Sequence, residues 1–178
     1  MSTQMSNFNF NLMSFFMTAF KKKSFIEKRI RESQIKKDDY VLDYACGPGI
    51  FTIPIASFIG EQGKVIAADI HPLAGEKICK KASNMVLTNI EFYQTDCELP
   101  IPDNSINVAL LFDCIHMFKN INKILAEIHQ VLRNDGVLSV DIHHIKKEDG
   151  MSLIEKSNLF SLEMNHDNSN HLLYKPRK

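Results

Sequence analysis

The chain has 178 residues, enough for one domain that buries roughly 70% of the surface its unfolded form would expose. Its 21 basic and 21 acidic residues cancel, so no global field draws it to DNA, RNA or an anionic bilayer, and neither nucleic acid nor a membrane is expected as a partner. Cys46, Cys79, Cys97 and Cys114 form no C-x-x-C pair, and no amino-terminal run has the pattern of a secretory leader, which points to a reducing, cytoplasmic setting.

The chain opens with an apolar stretch containing Phe8, Phe10, Leu12, Phe15, Phe16, Met17 and Phe20, interrupted by Asn11, Ser14 and Thr18. It is too short and polar to span a bilayer and is expected to pack against the domain. A basic helical segment from Lys21 to Arg31 follows, so residues 1–35 form an amino-terminal helical segment and 36–178 the main domain.

Apolar runs then predict strands at 40–44, 64–70, 90–95, 106–112 and 137–143. Several are continuously apolar, as in Val108 to Phe112, the pattern of strands buried on both faces of a parallel sheet. Helical patterns lie between them at 49–59, 72–84 and 120–132, the last with Ile121, Ile124, Leu125, Ile128 and Leu132 on one stripe. Arg133-Asn134-Asp135-Gly136 is expected to end that helix with a positive-φ glycine. A short helix at 150–157 precedes strands at 159–165 and 170–176, joined by His166-Asp167-Asn168-Ser169 as an antiparallel hairpin. The alternation predicts an α/β, doubly wound, Rossmann-like sheet of seven strands, mostly parallel, closed by that hairpin.

Three acids fall at predicted strand ends: Asp43, Asp69 and Asp96. Ligands of open α/β sheets bind there. After the first strand, Asp43-Tyr44-Ala45-Cys46-Gly47-Pro48-Gly49 is a small-residue turn through which backbone can approach a ligand closely, beside a fixed negative charge. Asp69 stands 20 residues beyond Gly49, the spacing at which an acid can accept hydrogen bonds from ribose hydroxyls. The dinucleotide fingerprint G-x-G-x-x-G would read Ala45, Gly47, Ile50 on this turn, and the Gly-Lys-Ser/Thr of a phosphate loop is absent. A nucleotide-dependent oxidoreductase is therefore the weaker fit, and ATP hydrolysis is excluded as the core chemistry.

The segment Tyr40 to Thr52 resembles the first motif of class I S-adenosylmethionine-dependent methyltransferases, with Ala45 in place of the usual first glycine. The resemblance extends over residues 38–176 and includes Pro102 to Val108 before the fourth strand and Ala126 to Gly136 before the fifth. It implies S-adenosylmethionine as cofactor, with Asp69 on the ribose and Ile70 on adenine. Asp96 and the Cys97 amide would contact the adenine amino group. Asp43 with Ala45, Cys46, Gly47 and Gly49 would face the methionine end, and Phe112 would stand beside the cofactor. It further implies methyl transfer to a small-molecule acceptor, or cofactor binding without turnover in a module of the same fold, and it makes residues 1–20 either a structural cover or a lid.

In-line displacement from a sulfonium needs a base only if the acceptor must lose a proton, a role open to His116 or Asp113. Asp141, His143 and His144 invite a metal reading together with His116, but strand alternation turns His144 away from the other two, and no metal is expected. Cys46 is expected to be a packing residue rather than a nucleophile.

Overall fold

The computed structural model describes residues 5–20, 22–166 and 169–178. Lys21, the Phe20 side chain, and Asp167 and Asn168 of the expected hairpin turn lie outside the described residues. In chain order the elements are α1 (Asn7–Phe20), α2 (Lys23–Glu32), β1 (Tyr40–Tyr44), α3 (Thr52–Ile59), β2 (Lys64–Asp69), α4 (Pro72–Asn84) and β3 (Ile90–Gln94). They continue with β4 (Ile106–Phe112), α5 (Ile121–Val131), β5 (Leu132–Asp141), α6 (Lys147–Glu155), β6 (Phe160–Asn165) and β7 (His171–Pro176), with one 3-10 turn at Ile115–Met117.

The strands join in the order β3-β2-β1-β4-β5-β7-β6. β1 to β5 pair in parallel, while β7 runs antiparallel to both β5 and β6. Strand order reverses between β1 and β4, so their carboxyl ends diverge into a crevice, the usual ligand position in such sheets.

Alternation of side chains builds the two core layers. Leu42, Ala109, Leu111, Leu138 and Val140 pack on one face together with Ile124, Leu125 and Ile128 of α5. Val41, Val108, Leu110 and Phe112 pack on the other, against Ile55 and Ile59 of α3 and Ile30 of α2.

Several element ends differ from the sequence expectation. α3 starts at Thr52 rather than at residue 49, because Gly49 holds φ +75°, outside the helical range. Gly136 does not adopt a positive φ. It lies instead inside β5, which begins directly after α5 and bulges between the Ile106–Leu132 and Val108–Val137 pairs. A Cβ there would sit 2.8 Å from Leu132 Cγ and 2.9 Å from the Arg133 carbonyl oxygen, so close approach accounts for the glycine. β5 also stops at Asp141 instead of reaching residue 143, and α6 occupies Lys147–Glu155 instead of 150–157.

A buried polar network fastens α2 to the sheet. Arg29 donates from Nε to Asp141 Oδ2 (2.9 Å), from Nη2 to Asp141 Oδ1 (3.3 Å) and from Nη1 to Glu32 Oε2 (2.6 Å). Ser139 Oγ bridges Ser33 Oγ (2.9 Å) and His171 Nε2 (2.7 Å). Burial, and then the Arg29 charge, push His171 down from the ordinary 6.5 to about 3.

Because that folded-state pKa lies below the unfolded one, the unfolded chain takes up the proton first. Stability is therefore unaffected by this group above the ordinary histidine range and is lost as pH falls from about 6.5 toward about 3. Urea unfolding between these limits is expected to show the wild type losing up to about 1.4 kcal/mol per pH unit more than His171→Gln. Parallel pH dependences would contradict the assignment.

Candidate active site

A cavity of about 320 Å³ opens at the carboxyl ends of β1, β2 and β4, where strand order reverses. Of the residues expected there from sequence, Asp43, Ala45, Cys46, Gly47, Asp69, Ile70, Asp96, Phe112, Asp113 and His116 line it. Gly49 and Cys97 do not. The Cys97 amide donates to Thr95 Oγ1 (3.1 Å) and its thiol packs toward the Lys123 carbonyl oxygen (3.7 Å), which leaves Thr95 and Asp96 as the wall residues at this point.

Asp69 is the hinge of the site. Its Oδ2 accepts from the Gly47 amide and its Oδ1 from the His71 amide, each at 2.8 Å. Burial raises its pKa, while those two amide bonds act in the opposite direction. Each carboxylate oxygen keeps a further lone pair for a ligand hydroxyl. Asp43, buried at the end of β1, accepts from Thr52 Oγ1 at the start of α3 (2.6 Å).

The turn between Asp43 and Thr52 needs three left-handed residues: Ala45 (φ +58°), Gly47 (φ +53°) and Gly49 (φ +75°). Ala45 accepts this conformation at a cost on the order of 1–2 kcal/mol, so the departure from the family's glycine leaves the turn intact. The two glycines serve different ends. A Cβ on Gly47 would meet nothing within 4 Å, whereas one on Gly49 would lie 2.7 Å from Cγ1 of buried Ile78 on α4. Gly47 keeps backbone bare beside the cavity, and Gly49 lets the turn pack against α4.

Part of the lining was not legible in the sequence. α1 contributes Phe10, Met13 and Met17, and Met5 precedes it. Phe10 stacks on His71 with ring centroids 4.0 Å apart and planes 9° from parallel. His71 Nδ1 accepts from the Leu73 amide, capping α4, so Nε2 carries the proton and donates to the Met5 carbonyl oxygen (3.1 Å). Phe10 and Met17 belonged to the predicted apolar set, and the i, i+3, i+7 spacing of Phe10, Met13 and Met17 was the available signal for Met13. The role of His71 had no such signal, because a histidine N-cap is not a preferred one.

Tyr44, Met117, Phe118 and His144 also line the cavity. His144 Nε2 lies 3.2 Å from Asp113 Oδ1, and its ring packs 4.7 Å from that of His116. Partial desolvation, then the neighbouring His144, lower the His116 pKa, with Asp113 opposing. Burial, then Asp43 and Asp69, push the Cys46 thiol up, away from nucleophilic chemistry. Asp141, part of the metal reading, is committed to Arg29 and His143. Among the described residues no group of three or more His, Cys, Asp or Glu is placed to hold a metal ion.

Residues 35–175 match the family model described as a methyltransferase domain. The chain is 37% identical over 138 residues to the ubiquinone/menaquinone biosynthesis C-methyltransferase UbiE of Francisella tularensis subsp. holarctica, a match covering 73% of this chain and 51% of that protein. It thus spans about half the length of the curated relatives it matches. Its fold is similar to that of a SAM-dependent methyltransferase from Aquifex aeolicus (TM-score 0.78, 17% identity, 97% of each chain). It is also similar to coclaurine N-methyltransferase, solved with N-methylheliamine and SAH (TM-score 0.60, 21% identity, 69% of this chain and 39% of that one).

The different duties of the two glycines can be separated by urea unfolding. Gly47→Ala is expected to cost about 1–2 kcal/mol, the left-handed backbone penalty alone. Gly49→Ala adds overlap with Ile78 and should cost about 1–3 kcal/mol more. Equal losses would show that packing on α4 does not govern Gly49.

Proposed function

The chain belongs to the class I S-adenosylmethionine-dependent methyltransferase family, and from that premise we propose that its cavity holds the cofactor beside a small aromatic acceptor and directs methyl transfer to it. The observation that carries this reading is that one cavity is lined both by the acids and bare backbone of Asp43, Gly47, Asp69 and Asp96 and by the apolar and imidazole side chains of Phe10, Met13, Met17, Phe118, His116 and His144. The oxidoreductase alternative falls with the family assignment.

The donor set fits the adenosyl and methionine ends of the cofactor. Asp69 offers its remaining acceptor sites to the ribose hydroxyls, Ile70 packs on the base, and Asp96 faces the adenine amino group. Asp43 supplies negative charge toward a cationic ligand, steadied by Thr52. Bound there, S-adenosylmethionine supplies an electrophilic methyl group on a sulfonium. The residues of α1 exclude water and act as a lid, which raises the weight of positioning in catalysis.

The UbiE relative named above is a C-methyltransferase of ubiquinone/menaquinone biosynthesis, and the mostly apolar acceptor end suits a hydroxylated ring of that kind. A ring carbon becomes nucleophilic when its hydroxyl gives up a proton. His116, neutral because its pKa is lowered, receives that proton, and Asp113 positions His144 behind it. The four free cysteines suit a reducing, cytoplasmic compartment.

Calorimetry tests the cofactor directly. Micromolar binding of S-adenosylmethionine and its demethylated product is expected, weakened by about 1–3 kcal/mol in Asp69→Ala. A folded wild type that binds neither would overturn the reading. With a hydroxylated aromatic acceptor, His116→Gln should lower kcat by about 10²–10⁴. Because the His116 pKa is lowered, the base form persists below pH 6.5, and the acidic limb of the wild-type kcat profile should lie below that value. An unchanged limb in His116→Gln would remove the residue from the proton path, and binding without turnover across such acceptors would favour a non-catalytic module.

A further inference from the structure

α1 is apolar on two faces. Phe10, Met13 and Met17 line the cavity, while Phe8, Leu12 and Phe15, at i, i+4 and i+7 on another face, are 75%, 47% and 66% exposed. Phe16 is half exposed beside them. A surface helix ordinarily turns charge toward water, yet Asn7–Phe20 contains no charged residue. Contiguous exposed aromatic surface of this kind marks an interaction site.

The charge that follows names the partner. Lys21, Lys22 and Lys23 come directly after the helix, and no acid occurs in the sequence before Glu27. Lys22 and Lys23 are both exposed. The neutrality of the whole chain therefore hides a run of three lysines that follows the aromatic helix directly in sequence. At 14 residues α1 is about 21 Å long, short of the roughly 30 Å hydrocarbon core, and no described helix is long and apolar enough to cross a membrane. Aromatic apolar face, basic flank and short length are together the features of a helix that lies in the bilayer interface.

We propose that the outer face of α1 docks on an anionic bilayer surface, with Phe8, Leu12 and Phe15 entering the headgroup boundary and Lys22 and Lys23 meeting the lipid charge. The docking face does not depend on which reaction the cavity performs. Because the inner face of the same helix covers the cavity, docking sets the lid against the lipid phase.

Flotation of the full chain with phosphatidylcholine vesicles, with and without phosphatidylglycerol, provides the test. Binding is expected to favour the anionic vesicles by at least about tenfold and to weaken as ionic strength rises. Phe8→Ser/Leu12→Ser/Phe15→Ser should lose about tenfold or more in vesicle affinity while keeping its S-adenosylmethionine affinity and circular dichroism. Should that variant fail to fold, Lys22→Glu/Lys23→Glu still reports, by losing the preference for anionic lipid. Absence of vesicle binding by the wild type overturns the proposal. So does a wild-type dimer in sedimentation that the triple variant converts to monomer without any lipid binding, since a second copy would then cover the face.

Discussion

The carboxylate of Asp69 joins parts of the site that the sheet alone would leave independent. One oxygen holds the Gly47 amide in the turn after β1, and the other holds the His71 amide at the start of α4. His71 in turn caps α4, stacks on Phe10 and donates to the Met5 carbonyl oxygen. A single acid thus connects the ligand turn, a helix start and the helix that covers the cavity. The two backbone amides fix the direction of this carboxylate and oppose the rise in pKa that its burial produces.

The fold was legible in the sequence because its central strands carry uninterrupted apolar runs, as in Val65 to Ala68 and Val108 to Phe112, and such runs have few alternatives to a sheet covered on both faces. The acids at the ends of β1 and β2 could be placed for the same reason. What escaped was geometry without a local sequence sign. Gly136 looks like a helix stop but occupies a bulge in β5, where its missing side chain makes room for Leu132 and the Arg133 carbonyl. Gly49 belongs to the ligand motif in sequence but to α4 packing in space. The neighbours of His116, Asp113 and His144, are separated by 31 residues and meet only when β4 and β5 pair.

The amino-terminal segment shows where composition misleads most. Summed over the chain, charge is zero, and summed over α1, apolarity reads as a core helix. Resolved by face, the same helix lines the cavity with one set of side chains and presents aromatic rings outward with another. Cavity lining and outer surface thus meet in one helix, so what touches one face acts on the element that carries the other.

Linked in this way, the ligand turn, Asp69, His71 and α1 should respond to a ligand as one unit. Hydrogen–deuterium exchange of the full chain with and without the demethylated cofactor product tests it most directly. The account predicts that the amides of Gly47, His71 and α1 gain protection together, and that all lose the gain in Asp69→Ala. Protection at Gly47 and His71 with α1 unchanged would contradict it, because the covering helix would then be indifferent to what the cavity holds.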